Sequence, residues 1–329
     1  MHQTSRLTDG FGRRFSYLRL SLTEACNFRC QYCLPNGYTP TGPHDFLTAG
    51  EIVNLVTALA EIGMWKIRLT GGEPTLRRDL VDLITLIRGV PGVAHIAMTT
   101  NGYRLAQDGP AYVAAGLGSL NVSVDSLDKD RFARLTGVDR LDAVLAGIAA
   151  CRAAGLERIK LNAVLLRSTA WEELGQFLDY LRTAPVTIRF IELMQTGEGA
   201  ALFEQEHMRC AELMASLENA GWQRVARPEG AGPAIELAHD SYAGRIGFIA
   251  PYAKDFCASC NRLRVSARGQ LQLCLFGRGG HSIRHLLQTP EQKEELKAYF
   301  ASLLAGKQEG HGLHEGNYGT RQHLASIGG

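Results

Sequence analysis

Between residues 17 and about 195 the chain repeats one unit six times: a short β-rich run, a turn, then a longer amphipathic stretch. The β-rich runs are YLRLSLT (17–23), KIRLTGG (66–72), HIAMTTNG (95–102), LNVSVDS (120–126), IKLNAVLL (159–166) and TIRFIEL (187–193). Segments such as AGEIVNLVTALAEIG, RRDLVDLITLIRGV and RLDAVLAGIAACRAAG separate them. Their apolar residues recur at the i, i+3, i+4, i+7 spacing of a helix packed on a sheet. Strands alternating with helices imply parallel pairing through right-handed crossovers. Six units predict an α/β fold, a partial (βα)6 TIM-like barrel, two short of the eight that close one. After residue 196 the rhythm breaks into a Gly-rich stretch, one amphipathic helix and shorter β-like runs around IELAH, RIGFIAPY, NRLRVSA and LQLCLF. We therefore expect a core over 1–196 and a smaller region over 197–329, packed against the open side of the barrel.

In such sheets functional groups gather at the carboxyl ends of the strands. There the chain carries a cysteine loop after the first run, GGEP after the second, TTNG after the third, and Ser123 and Asp125 in the fourth. Lys160 opens the fifth run, and Met194 and Gln195 follow the sixth. Any one of these could be an ordinary turn residue; their convergence on one rim is the informative fact.

Of the eight cysteines, six form two triplets, Cys26/Cys30/Cys33 and Cys257/Cys260/Cys274. Cys151 and Cys210 stand in helix-like stretches and read as buried small residues. A start of MHQTSRLTDG, with no apolar signal-peptide core and no run of 18 apolar residues, predicts a cytoplasmic chain, where disulfides are rare. Metal or cluster ligation is thus the leading reading of both triplets. Three thiolates on one short loop, Cys26-x3-Cys30-x2-Cys33, suit a [4Fe–4S] cluster with one iron open to a cofactor. Zinc would need a fourth ligand, and the nearest candidate, His44, lies eleven residues on. The second triplet, Cys257-x2-Cys260-x13-Cys274, fits either a second cluster or a zinc site completed by His281. Beside it, Arg262 and Arg264 would share one side of a strand, a pairing suited to phosphates, although a solvated strand edge reads equally well. Arg19, Arg68 and Lys160 could add charge to the same cavity. No GxxxxGK[ST] loop occurs, so a nucleotide here would be substrate. The formal net charge of +2 argues against general affinity for nucleic acid or membrane.

CNFRCQYC resembles the CxxxCxxC signature of radical S-adenosylmethionine enzymes, and GGEP (Gly71 to Pro74), 38 residues beyond Cys33, resembles the family segment that meets the methionine amino group. The resemblance implies a barrel of the radical S-adenosylmethionine type whose cluster cleaves the cofactor to a 5′-deoxyadenosyl radical. The pairing of triplets, with RLTGGEPTLRRDL, TTNGYRL, NVSVDSLD, RFIELMQTGEG, PYAKDFCASCNRLRVS, LCLFG and the terminal SIGG, resembles the branch that cyclises GTP in molybdenum-cofactor biosynthesis. It implies that Cys26, Cys30 and Cys33 hold the cofactor-binding cluster and Cys257, Cys260 and Cys274 a second [4Fe–4S] cluster facing substrate. It further implies S-adenosylmethionine contacts from Tyr32, Gly72, Ser123 and Met194, and GTP contacts from Arg19, Arg68, Thr99, Lys160, Arg262 and Arg264. The Gly328-Gly329 tail would enter the active site; its plain alternative is a frayed end. No residue is assigned as acid or base. An external electron donor is required, and a homodimer stays open. The rivals are another radical enzyme with an auxiliary cluster, such as a peptide-modifying one, and a zinc-stabilised nucleic-acid-binding module.

Overall fold

The computed structural model describes residues 7–40, 42, 45–197, 199–228, 230–277, 279–316 and 327. All six runs form strands: β1 (Tyr17–Ser21), β2 (Lys66–Thr70), β3 (His95–Thr100), β4 (Ser119–Ser123), β5 (Ile159–Leu165) and β6 (Thr187–Glu192). They pair in chain order, each parallel to the next. The helices between them are α1 (Ala49–Glu61), α2 (Leu80–Arg88), α3 (Leu105–Ala114), α4 (Lys129–Thr136), α5 (Leu141–Ala153) and α6 (Ala170–Leu181).

Strand alternation explains where the core lies. Leu18, Leu20, Ile67, Leu69, Leu120, Val122, Leu161, Ile188 and Phe190 point outward, buried under the helices. Their strand neighbours Tyr17, Arg19, Lys66, Arg68, Thr99, Asn121, Lys160, Asn162 and Arg189 point inward and line a cavity. A closed barrel of this kind fills its interior with branched apolar chains; this one keeps a polar hollow, with the hydrophobic core in the layer between sheet and helices. Cys151 and Cys210 belong to that packing, as expected. Cys151 Sγ fills the α3–α5 contact so closely that a Cβ on Gly109 would fall 2.5 Å from it.

The C-terminal region joins the core by strand addition. It contributes α7 (Ala200–Glu206), α8 (Cys210–Asn219), β7 (Gln223–Arg224), β8 (Ile235–Ala238), β9 (Arg245–Ile249), β10 (Arg262–Val265), β11 (Gln270–Gln272), β12 (His281–Ser282) and α9 (Lys293–Ala305). Its strands extend the sheet at both ends, along the β1 and β6 edges between which the six-strand barrel is open. β9 pairs parallel to β6 and β10 parallel to β1, so the order is β12-β11-β10-β1-β2-β3-β4-β5-β6-β9-β8-β7. The physical reason is that β1 and β6 would otherwise present unpaired edges, and strand addition satisfies them.

One carboxylate ties this region to the first helix. Glu51 closes a capping box with Thr48 at the start of α1, accepting from the Thr48 N–H at 2.8 Å, and also accepts from Arg284 Nε at 2.7 Å and Gln288 Nε2 at 2.9 Å. Burial pushes its carboxyl up, but Arg284, Thr48 and Gln288 outweigh burial and hold it at about 2. Because the folded value lies below the unfolded one of about 4.3, this stabilisation is complete above that pH and is lost as pH falls toward 2. Glu51→Ala is expected to cost roughly 1–3 kcal/mol at neutral pH. In denaturant titrations the difference between wild type and variant should shrink below about pH 4; a constant difference would refute the linkage.

Candidate active site

The loop after β1 carries Cys26, Cys30 and Cys33, and two neighbouring loops fix its backbone. Gly72 N–H donates to Thr23 O at 2.9 Å and Glu73 N–H to Ala25 O at 2.7 Å. The approach requires glycine twice: a Cβ on Gly72 would lie 2.2 Å from Ala25 O, and one on Gly71, whose φ is +140°, would lie 2.3 Å from Thr23 O. Glu73 is wholly buried and accepts from Thr75 N and Oγ1, Thr100 Oγ1 and Asn101 N, so one carboxylate bolts GGEP to TTNG. Asn101 in turn donates to Asn27 Oδ1 at 2.8 Å, between Cys26 and Phe28. Burial raises the Cys26 thiol to about 11 and Cys30 well above its usual value, with Asp125 and the neighbouring thiols adding to the rise at Cys30.

On the next strands, Tyr32 Oη donates to Asp125 Oδ2 at 2.7 Å, and Asp125 Oδ1 accepts from Val164 N at 2.9 Å. Burial lifts the Asp125 carboxyl to about 6 despite those donors. Ser123 ends β4 opposite Asn162, partly buried. Met194, just beyond β6, packs against the cluster of Tyr252, Phe276 and Leu313, as does Cys274.

Inside the sheet a cavity of about 840 Å³ takes in Arg19, Arg68, Thr99, Lys160, Arg262 and Arg264 together, every residue expected to contact GTP. Parallel register sets them in rows. Arg264, Arg19 and Arg68 lie side by side across β10, β1 and β2, and Arg262, Tyr17 and Lys66 form the row before them. Burial lowers Arg19 to about 10 and Arg264 well below its usual value, and neighbouring guanidiniums add to both effects. Arg68 donates to the Tyr17 hydroxyl, to Met98 O at 2.9 Å and to Thr99 Oγ1 at 3.2 Å. Lys160 is ion-paired with Glu236 of β8. Sequence reading missed Lys66, Arg189, Asn121 and Asn162. Arg189 grips Asn162 Oδ1 through Nε at 3.1 Å and Nη2 at 2.7 Å, and the Asn121 amide oxygen turns to Arg68 and Arg189 at 3.1 and 2.6 Å. The period-two spacing in KIRLT, SLNVS, IKLNAVL and TIRFIE marks all four as inward.

The second triplet borders a smaller cavity of about 60 Å³ that shares Met194, Phe256, Arg262, Arg264 and Leu275 with the large one. Cys260 N–H donates to Cys257 O at 3.0 Å. Burial opposes ionisation of Cys260, but Arg262, Lys307 and Arg13 outweigh it and lower the thiol. Arg13 straps this loop, donating to Cys257 O at 3.1 Å and Gln308 O at 2.7 Å while Asp9 holds its Nε at 2.7 Å. His281, the zinc alternative's fourth ligand, lies exposed on β12 and does not border this cavity, whereas His311 does. All eight cysteines are free, and within each triplet the thiols act electrostatically on one another. Among the described residues no group of three or more His, Cys, Asp or Glu is set to hold a single metal ion. A cluster, whose irons stand between the thiolates, is the kind of group such donor sets suit. Gly328 and Gly329 lie outside the described residues, but Ile327 is buried and its carbonyl accepts from Arg264 Nη1 at 3.4 Å. Among the described residues no helix is long and apolar enough to cross a membrane.

Residues 20–181 match the Radical SAM superfamily and residues 186–313 match Molybdenum Cofactor Synthesis C. The chain is 54% identical over 325 residues to the GTP 3′,8-cyclase of Stenotrophomonas maltophilia strain K279a, covering 99% of this chain and 100% of that one. It is 50% identical over 324 residues to the GTP 3′,8-cyclase of Yersinia pestis, covering 98% and 99%. Among solved structures, Streptococcus suis SuiB bound to S-adenosylmethionine superposes with a TM-score of 0.66 at 13% identity, over 89% of this chain and 67% of its own, a likeness of fold.

Proposed function

The chain belongs to the radical S-adenosylmethionine superfamily, in the branch of the GTP 3′,8-cyclases, and from that premise we propose that it cyclises GTP by joining ribose C3′ to guanine C8, an early step toward the molybdenum cofactor. The family carries an iron–sulfur cluster and S-adenosylmethionine, and these supply a 5′-deoxyadenosyl radical when bound. Cys26, Cys30 and Cys33 are the proposed ligands of that cluster. Tyr32, Gly72, Ser123 and Met194 are the proposed cofactor contacts. Cys257, Cys260 and Cys274 are proposed to hold a second [4Fe–4S] cluster beside substrate, in a C-terminal region over 197–329 appended to a core over 1–196.

One observation carries the substrate reading. Cations from β1, β2, β5, β6 and β10 converge on a single cavity that meets the second triplet at Arg262 and Arg264. Guanidiniums in rows match the oxygens of a triphosphate, and burial makes each contact stronger than it is in water. Thr99, Asn121 and Asn162 supply neutral donors and acceptors in the same wall. No general base is needed to lose a hydrogen atom, so the residues act by placement: one C–H bond must face the reactive carbon and water must stay out. The terminal glycines are proposed to approach the same site, a reading supported by the Ile327–Arg264 contact. An external one-electron donor completes the requirement.

The test is anaerobic incubation of reconstituted protein with dithionite, S-adenosylmethionine and GTP, followed by mass analysis. We expect 5′-deoxyadenosine and a cyclised nucleotide of unchanged mass in matching amounts. 5′-Deoxyadenosine with GTP left intact would overturn the substrate while leaving the family chemistry standing.

A further inference from the structure

Tyr17 is the one phenol in the rows of cations that line the barrel. It is buried at the start of β1, with Arg262 beside it on β10 and Lys66 beside it on β2. Its hydroxyl accepts from Arg68 Nε and is bonded by Arg19. Lys66 Nζ stands 4.8 Å from its ring centroid and the Arg68 guanidinium carbon 5.9 Å. The charged groups facing it are therefore Arg19 from its own strand, Lys66 and Arg68 from β2, Arg262 and Arg264 from β10, and Arg189 from β6. Guanidinium groups can only donate, so Tyr17 Oη faces donors in both Arg68 and Arg19.

We propose that Tyr17 is a positioning residue that serves as the built-in counter-ion of this cluster, standing as phenolate in the free cavity and taking up one proton from solvent when a triphosphate arrives. The proposal rests on the reading of GTP as substrate. Without a ligand, the guanidiniums of Arg19 and Arg68 need an anion to stay aligned at such close quarters, because buried like charges repel. The phenolate supplies it. When phosphate oxygens enter they take over that neutralisation, and a phenolate among phosphates becomes the repelled group, which protonation relieves.

The electrostatics agree in direction. Burial alone would raise the Tyr17 phenol, but Arg68, Arg19 and Lys66 outweigh it and bring it to about 7. An unperturbed tyrosine lies near 10. If the bound form returns toward that value, binding takes up a proton between the two, and affinity falls as pH rises, by up to about tenfold per pH unit. Lys66 is the competing acceptor, since burial lowers its ammonium below the usual value.

The experiment is calorimetric titration of the anaerobic holoenzyme with GTP, without reductant, at about pH 8.5 in two buffers of different ionisation enthalpy. Wild type is expected to take up close to one proton per GTP, and Tyr17→Phe, which keeps the ring, close to none. Between about pH 7 and 8.5 wild-type affinity should fall roughly tenfold while the variant stays within about twofold. Equal uptake by wild type and variant would assign the proton to Lys66 and overturn the proposal. GTP binding by wild type with neither uptake nor a pH trend would also overturn it, whether or not the variant folds. Inorganic triphosphate is the second probe: if it binds with uptake where GTP does not bind, Tyr17 keeps its part and the substrate reading falls. If neither binds, both fall.

Discussion

Gly72→Ala is expected to reduce the formation of 5′-deoxyadenosine at least about a hundredfold. The added methyl would enter space already held by backbone, 2.2 Å from Ala25 O and 2.5 Å from Glu24 O. No flexible side chain stands there to swing aside, so the cysteine loop or the GGEP loop must move. Overpacking of this sort costs about 1–3 kcal/mol or more, and the hydrogen bonds at risk are Gly72 N–H to Thr23 O and Glu73 N–H to Ala25 O. Ala25 immediately precedes Cys26, so the displacement reaches the cluster ligands directly. A shift of about 1 Å at a reacting centre is enough for a loss near a hundredfold. The measurement is 5′-deoxyadenosine released per cluster under dithionite, read beside iron content. We expect iron largely retained, since the thiols remain, with turnover lost. Wild-type turnover in the variant would show that the approach of the two loops is not needed to hold the cofactor.

Much of this site could be read from residue order. A hydrophobic period of 2 alternating with one of 3.6 located five of the six core strands within two residues of where they form, and overran the end of β4 by three. Arg19, Arg68, Thr99, Lys160, Arg262 and Arg264 were named together through the family resemblance, and alternation explains why they share one cavity, because parallel strands in register put inward residues of neighbours side by side. What the order of residues does not contain is which strand neighbours which once the rhythm breaks. Short runs such as RLRVS and RIGFI have no helix between them to announce parallel pairing, so β10 beside β1 and β9 beside β6 depend on the free edges of a distant part of the chain. Glu236 illustrates the consequence. It is an unremarked residue in IELA, yet β8 carries it to Lys160, 76 positions away, so that a lysine expected to contact GTP already has a carboxylate partner. Arg13 is similar: an N-terminal arginine with no motif around it straps the loop of Cys257. Lys66 and Arg189, by contrast, were legible. They occupy inward positions by simple alternation, and lacked only a reason to be singled out from other charges.

Replacing Cys257, Cys260 and Cys274 together with serine should separate the two halves of the chemistry. Hydroxyls of serine are poor ligands for iron, so the iron found after anaerobic reconstitution is expected to fall from about eight to about four per chain. The first triplet lies on the loop held by GGEP and TTNG, whose hydrogen bonds to it come from Gly72, Glu73 and Asn101. Formation of 5′-deoxyadenosine should therefore survive while cyclised nucleotide disappears. GTP affinity should weaken as well, because Arg262 begins two residues after Cys260 and borders both cavities, and the fold of the Cys257 loop fixes where β10 starts. Two outcomes would overturn the assignment. Iron of about four in the wild type, or zinc in place of half of it, would make the second triplet a structural knot. Cyclised product from the serine variant would leave the second triplet without a part in the reaction. The fold makes one further demand on this result. Arg13 holds the Cys257 carbonyl independently of the thiols, so the serine variant should keep its thermal midpoint within a few degrees when compared with wild type stripped of iron. A collapse of that midpoint would mean the thiols themselves hold the loop, and the loss of cyclisation would then say nothing about where substrate binds.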